Sequence, residues 1–289
     1  MNLAPIIHTR TFSSDFDSNI KVVPAEFTGS DINWARKKIL EATKSIDSLQ
    51  GERWLIIDNN QYRIAGVIGF IKNICSKTNK KEDKSLEPLF YDEKNRLVYA
   101  FIGVVIDKAN TQEVTSITYD MLWDYFEKFM RPIWKNSYQE QVLTQFEDVA
   151  GSKVLKSKTA EKNIINNMEL YESNSVLDYN LFNNIVADLT NSDFSLCTNM
   201  GDISVVKNAT FDYISTSANN ITRLKKEPRP SEIVDKTIEN NVTESFSEES
   251  ITTDSNEKKN DLTLAKICLT ILLVIIVIVI LLMKIDLFQ

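Results

Sequence analysis

The sequence predicts an α+β protein: an antiparallel sheet flanked by helices, then an acidic disordered linker and one membrane-spanning helix at the C-terminus. Three observations carry that expectation. Apolar runs of strand length ("RWLIID", "QYRIAGVIGF", "RLVYAFIGVVID") are interleaved with segments whose apolar residues recur every three or four positions. From Ser231 to Glu257 eight acids stand against Lys236 alone, a net charge of −7 that matches the formal charge of the whole 289-residue chain. Between Ile267 and Met283 the only polar residue is Thr270. The expected organisation is a domain over 1–222, with a subdivision point near 137–150, a linker over 223–261, a span over 262–284 and a tail over 285–289.

Taken in order, the N-terminal "MNLAPIIHTRTFSSDF" lacks the basic start and long apolar core of a signal peptide and is read as irregular. "SDINWARKKILEATKSIDSLQ" opens on a capping Ser30 and places Ile32, Ala35, Ile39, Ala42, Ile46 and Leu49 on one helical stripe, with Trp34 just beside it. "RWLIID" and "QYRIAGVIGF" flank the turn-forming Asp58, Asn59 and Asn60, which predicts a β-hairpin. The charged "SKTNKKEDKS" follows as a loop. A second hairpin joins "PLFY" to "RLVYAFIGVVID" across "DEKN", its long strand apolar enough to be covered on both faces. "TYDMLWDYFEKFM" sets Met121, Leu122, Tyr125, Phe126 and Phe129 on one side of a helix closed by Pro132. Beyond it, "SYQEQVLTQFEDV" and "LDYNLFNNIVADLT" read as helices, and "FSLCTNMGDISVV" as a hairpin turning at Asn199 to Asp202.

No catalytic, cofactor-binding or metal-binding residue is assigned, and no cofactor is expected. His8 is the single histidine; a lone imidazole in an irregular segment is read as a surface residue. Cys75, Cys197 and Cys268 form no metal or redox spacing. The seven glycines compose neither phosphate-binding fingerprint, and "GVIG" at Gly66 to Gly69 is read as close backbone packing. Asp58, Asp92 and Asp107 stand at strand ends, where carboxylates serve turns. "KNICSKTNKKEDK" is a solvated basic loop interrupted by Glu82 and Asp83, so nucleic acid is not an expected partner. Trp123, Tyr125, Phe126, Phe129 and Trp134 crowd into twelve residues, more than one helix face can bury. Trp123, Trp134 and Tyr125 are therefore candidate anchors for an unidentified protein partner.

The stretch Arg53 to Trp134, with "RWLIIDNNQYRIAGV", "RLVYAFIGVVI" and the aromatic helix, resembles uncharacterised bacterial proteins of conflict or defence-type loci. The resemblance implies a defence or stress setting and transfers no site residue. A longin-like or profilin-like sheet is the competing analogy.

The 17-residue run Ile267–Met283 is about 25 Å long as a helix, the lower end of what crosses a bilayer core, and Leu262, Leu264 and Ala265 extend it. Lys266 and Lys284 flank it as snorkelling residues. Only Ile285–Gln289 follow, the pattern of a tail anchor. Lys258, Lys259 and Lys266 precede the span and only Lys284 follows it, which keeps the domain cytoplasmic. The Asn-x-Thr triplets at Asn208, Asn220 and Asn241 are accordingly read as unused. The linker lacks apolar heptads, which excludes a fusion-type coiled coil, and as a coil it spans about 30 to 35 Å. The expected function is a scaffold or adaptor that brings a protein partner to the lipid bilayer. The alternative is a membrane-tethered enzyme using carboxylates and lysines.

Overall fold

The computed structural model describes residues 1–13, 20–44, 51–135, 141–150, 154, 156–165, 168–189 and 194–226. The chain divides into two units, Met1–Glu227 and Pro228–Gln289, and every described residue belongs to the first. The acidic linker beyond residue 226, the span 262–284 with Lys266 and Lys284, and the tail lie outside the described residues. Among the described residues no helix is long and apolar enough to cross a membrane.

The elements run β1 (Asn2–Thr9), β2 (Val22–Pro24), α1 (Gly29–Ala42), β3 (Arg53–Asp58), β4 (Tyr62–Phe70), α2 (Ile71–Cys75), β5 (Tyr99–Asp107) and α3 (Tyr119–Met130). Then come β6 (Val142–Thr144), β7 (Glu147–Asp148), β8 (Lys162–Ile165), β9 (Met168–Glu172), α4 (Ser175–Val186), β10 (Ser195–Cys197), α5 (Ile203–Lys207), β11 (Tyr213–Thr216) and α6 (Ala218–Lys226). The strands form one sheet in the order β6-β2-β1-β5-β4-β3-β10-β11-β9-β8, with β7 also on β1. It is a mixed sheet flanked by helices. The expected antiparallel pairing holds across β1-β5-β4-β3-β10, whereas β10-β11, β11-β9 and β2-β6 are parallel.

Side chains alternate between two cores. Trp54, Ile56, Val67, Ile102 and Val104 point to the face covered by α2, α3 and α4, whereas Leu55, Ile57, Ile64, Phe101 and Val105 point to the face covered by α1, α5 and α6. Burial on both faces is why β5 carries almost no polar residue. At its centre Gly66 pairs with Gly103, and a Cβ on Gly66 would collide with the Ile102 carbonyl oxygen, so the two backbones approach as only glycine allows.

Several expectations are corrected. The N-terminal segment is not irregular: β1 is a buried strand lying beside β5, its Ala, Pro and Ile residues filling both faces. Helix α1 is capped by Thr28, not Ser30; the Thr28 hydroxyl and the Asp31 carboxylate exchange bonds with each other's backbone N–H. Its stripe buries Ala35, Ile39 and Ala42; Ile46 and Leu49 lie outside the described residues. "PLFY" is no strand, because Lys84–Leu89 forms a 3-10 turn and only the single bridge Tyr91 to Leu97 survives of the second hairpin. "QVLTQFEDV" forms β6 and β7 rather than a helix, since pairing with β2 and β1 overrides its helix-like spacing. "FSLC" is a strand, but Ile203–Lys207 after it is helical, and β10 finds β3 and β11 instead of a hairpin partner. The first hairpin forms as expected, with the Asn59 side chain accepting from the Gln61 and Tyr62 N–H groups.

Candidate functional site

Strands β9, β10 and β11 run parallel, so the chain leaves all three at the same end of the sheet. Carboxyl ends of parallel strands are where crevices form in such sheets. The residues that follow are small and polar: Ser173 and Asn174 after β9, Thr198 and Asn199 after β10, Ser217 after β11. Asn174 caps α4 through Val176 N–H at 3.0 Å, and Ser217 accepts from Asn220 N–H at 3.2 Å at the start of α6.

Behind this rim lies a polar network. The Ser173 hydroxyl donates to Asp178 Oδ2 at 2.8 Å. Burial raises the Asp178 carboxyl above its ordinary range, opposed by bonds from Ser215, Ser173 and the Asn174 backbone. Asn199 takes the left-handed conformation at φ 52°, donates from its backbone to Ser215 Oγ at 2.7 Å and from its side chain to the Glu52 carbonyl at 3.2 Å. Its carbonyl accepts from Arg53 Nε, while Arg53 Nη1 donates to the Ala42 and Lys44 carbonyls and so closes the C-terminus of α1.

In front of the network is a cleft of about 560 Å³ whose wall includes Lys158, Asn163, Glu172, Ser173, Thr222 and Lys225. A second cavity of about 280 Å³ lies toward the far end of α4, lined by Lys156, Tyr171, Leu181, Asn184, Phe194 and Tyr213 among others. Thr159 lines both. Residues 156–160 cross α4 as a strap without regular structure. Asn184 pairs with both backbone polar groups of one residue: its Oδ1 accepts from Ser157 N–H at 3.0 Å and its Nδ2 donates to the Ser157 carbonyl at 2.8 Å. One turn earlier Asn180 Nδ2 donates to the Lys158 carbonyl at 2.8 Å.

The residues expected to anchor a partner are placed differently. Trp123 is fully buried against Phe90 and Phe126, and Trp134 is 3 % exposed, its indole N–H donating to the Pro88 carbonyl at 3.0 Å. Tyr125 is half-buried against the same core. The crowding that suggested surplus aromatics is absorbed because Lys84–Leu89 and α2 wrap the flank of α3, giving its rings two surfaces to pack on. In this fold neither indole is presented to a partner.

Other singled-out residues have structural employment. His8 is buried in β1, not on the surface, and burial with the Arg36 and Lys21 charges lowers its pKa to about 4. Asp58 is more than a turn residue: it is buried between Arg63 at 2.7 Å and Lys108 at 3.0 Å. Asp92 ties its own turn through the Lys94 and Arg96 N–H groups, and Asp107 does so through Ala109. The basic loop is docked, with Lys80 paired to Asp124 and Glu127 of α3 at 2.8 and 2.9 Å. Among the described residues no three His, Cys, Asp or Glu side chains converge to hold a metal ion.

Sequence reasoning missed the cleft and the strap. One signal was present: α4 carries Asn180, Asn183 and Asn184 within 12 residues, and asparagine disfavours helix interiors unless tertiary contacts use it. The chain matches no family model, no curated protein and no solved structure.

Proposed function

We propose that this chain is a single-pass membrane-anchored recognition protein whose N-terminal unit recruits a protein partner to the bilayer from the cytoplasmic side. The observation that carries this reading is the run Ile267–Met283, apolar on every helical face apart from Thr270. The acid-rich Ser231–Glu257 supports it as a hydrated linker ahead of the anchor, and the lysine bias supports the orientation. Of the Asn-x-Thr triplets, Asn220 is 5 % exposed and donates to the Gly201 carbonyl and Thr216, so it offers no site for a glycan, whereas Asn208 is exposed. The polar cleft with its strap is the surface offered for recognition. The bacterial defence or stress setting belongs to the same proposal.

The test is fractionation. The full chain is expected to stay in the membrane pellet through a high-salt wash, and deletion of Leu262–Gln289 to release it; a deletion variant that still pellets overturns the anchor. The competing enzyme reading has one observation in its favour, the raised Asp178 carboxyl beside the cleft. Turnover of a small molecule by the purified chain, abolished in Asp178→Asn, would establish it.

A further inference from the structure

The strap is bound to α4 in the way one polypeptide binds another. We infer that the face of α4 under residues 156–160 is a groove for an extended segment of a partner protein, and that the strap is its resident occupant. The inference deepens the recognition reading and rests on it.

Asn184 pairs with the N–H and the C=O of the same residue, Ser157. That donor-and-acceptor pattern belongs to the peptide main chain and is indifferent to side-chain identity, so any extended segment can supply it. The spacing agrees. From Asn184 back to Leu177 is seven helical residues, about 10 Å; from Ser157 to Ala160 is three extended residues, also about 10 Å. Ala160 and Leu177 line the same cleft, so strap and helix run antiparallel in step.

The occupant fits loosely. Ser157 and Lys158 are exposed, and among the described residues of the strap only Ala160 packs on the core, so the strap is held by polar contacts at the surface, the asparagine bonds among them, with little apolar burial. Segments with little apolar burial open at far lower cost than the core. The strap also leaves space on either side, the cavities of about 560 and 280 Å³ that share Thr159. Lifting it joins them into one channel along α4. The smaller cavity sets Tyr171, Leu181, Phe194 and Tyr213 beside the polar Lys156, Asn184 and Asp188, and has room for a side chain larger than threonine whose apolar body lies on the rings. The partner is therefore an extended segment with a leucine-sized or aromatic residue at the position Thr159 now holds.

The test uses the full chain in detergent micelles and a labelled peptide with the sequence of residues 156–163 in which Thr159 is replaced by leucine. A variant whose strap is rewritten with Ser157→Pro and Ala160→Gly, which removes the N–H that Asn184 accepts from and the one strap side chain packed on the core, is expected to bind this peptide at least ten-fold more tightly than the unaltered chain. Adding Asn180→Ala and Asn184→Ala is expected to abolish the gain. Equal affinity for both chains, or a gain indifferent to the asparagines, overturns the groove. Should the rewritten strap prevent folding, hydrogen exchange on the unaltered chain decides: excess peptide is expected to speed exchange at the Ser157 amide ten-fold or more while α4 stays protected, and an unchanged Ser157 rate overturns the proposal. Salt-resistant pelleting is scored for each variant on the membranes before they are solubilised. A missing peptide effect with pelleting intact removes the groove alone, and loss of pelleting removes the anchor alone.

Discussion

Two arginines buried in neighbouring strands do the same task on opposite faces of the sheet. Arg53 closes the C-terminus of α1, and Arg63 donates to the Val186 and Asp188 carbonyls at the C-terminus of α4 at 3.0 and 2.6 Å. Each satisfies carbonyls that a helix end leaves without partners. Arg63 is itself neutralised by Asp58, which Lys108 also contacts. Removing that carboxylate strands a buried guanidinium, so Asp58→Ala is expected to cost about 3 to 5 kcal/mol, read as a lower urea midpoint. His8 governs acid behaviour differently. Its imidazole takes a proton near 6.5 when unfolded and near 4 when folded, so between these values the unfolded chain holds more protons. Stability is therefore expected to fall as pH drops from 6.5 toward 4, by about 3 kcal/mol for this group. In His8→Phe that part of the slope should vanish; an identical pH dependence of the urea midpoint would refute the assignment.

Among the elements, α3 shows most clearly how the core decides what an aromatic residue is for. Trp123 touches Phe90 and Phe126 and is wholly enclosed, so Trp123→Ala is expected to destabilise the unit by about 3 to 5 kcal/mol, with a lowered thermal midpoint as the measurement. Local pattern was enough to place α1, the β3–β4 hairpin, β5, α3 and α4, because each carries its own period or turn chemistry. It failed where the partner is remote. β6 is three residues long and exists only by pairing with β2, and β10 only by meeting β3 from more than 130 positions away. β1 was missed because Pro5 and the polar Asn2, His8 and Thr9 hide a strand whose burial on both faces comes from its neighbours. The candidate site was the least legible, since the Asn184 contact with Ser157 joins residues 27 apart and neither one signals the other.

At the scale of the whole unit, the order of strands in space departs from their order in the chain. β1 stands beside β5, although about a hundred residues separate them, and β3 receives β10 on its other side. That arrangement sets a timetable for synthesis. Until Ser195–Cys197 have been made, the hydrogen-bonding edge of Arg53–Asp58 has no neighbour on that side, and its apolar stretch Trp54–Ile57, buried in the finished fold, is open to other chains. A chain ending at residue 194 is therefore expected to aggregate where one ending at residue 226 remains in solution, with light scattering after refolding as the readout. The unit is committed to folding late, after its last strands have left the ribosome, and a nascent chain must be shielded along that one strand while the residues between Asp58 and Ser195 are added.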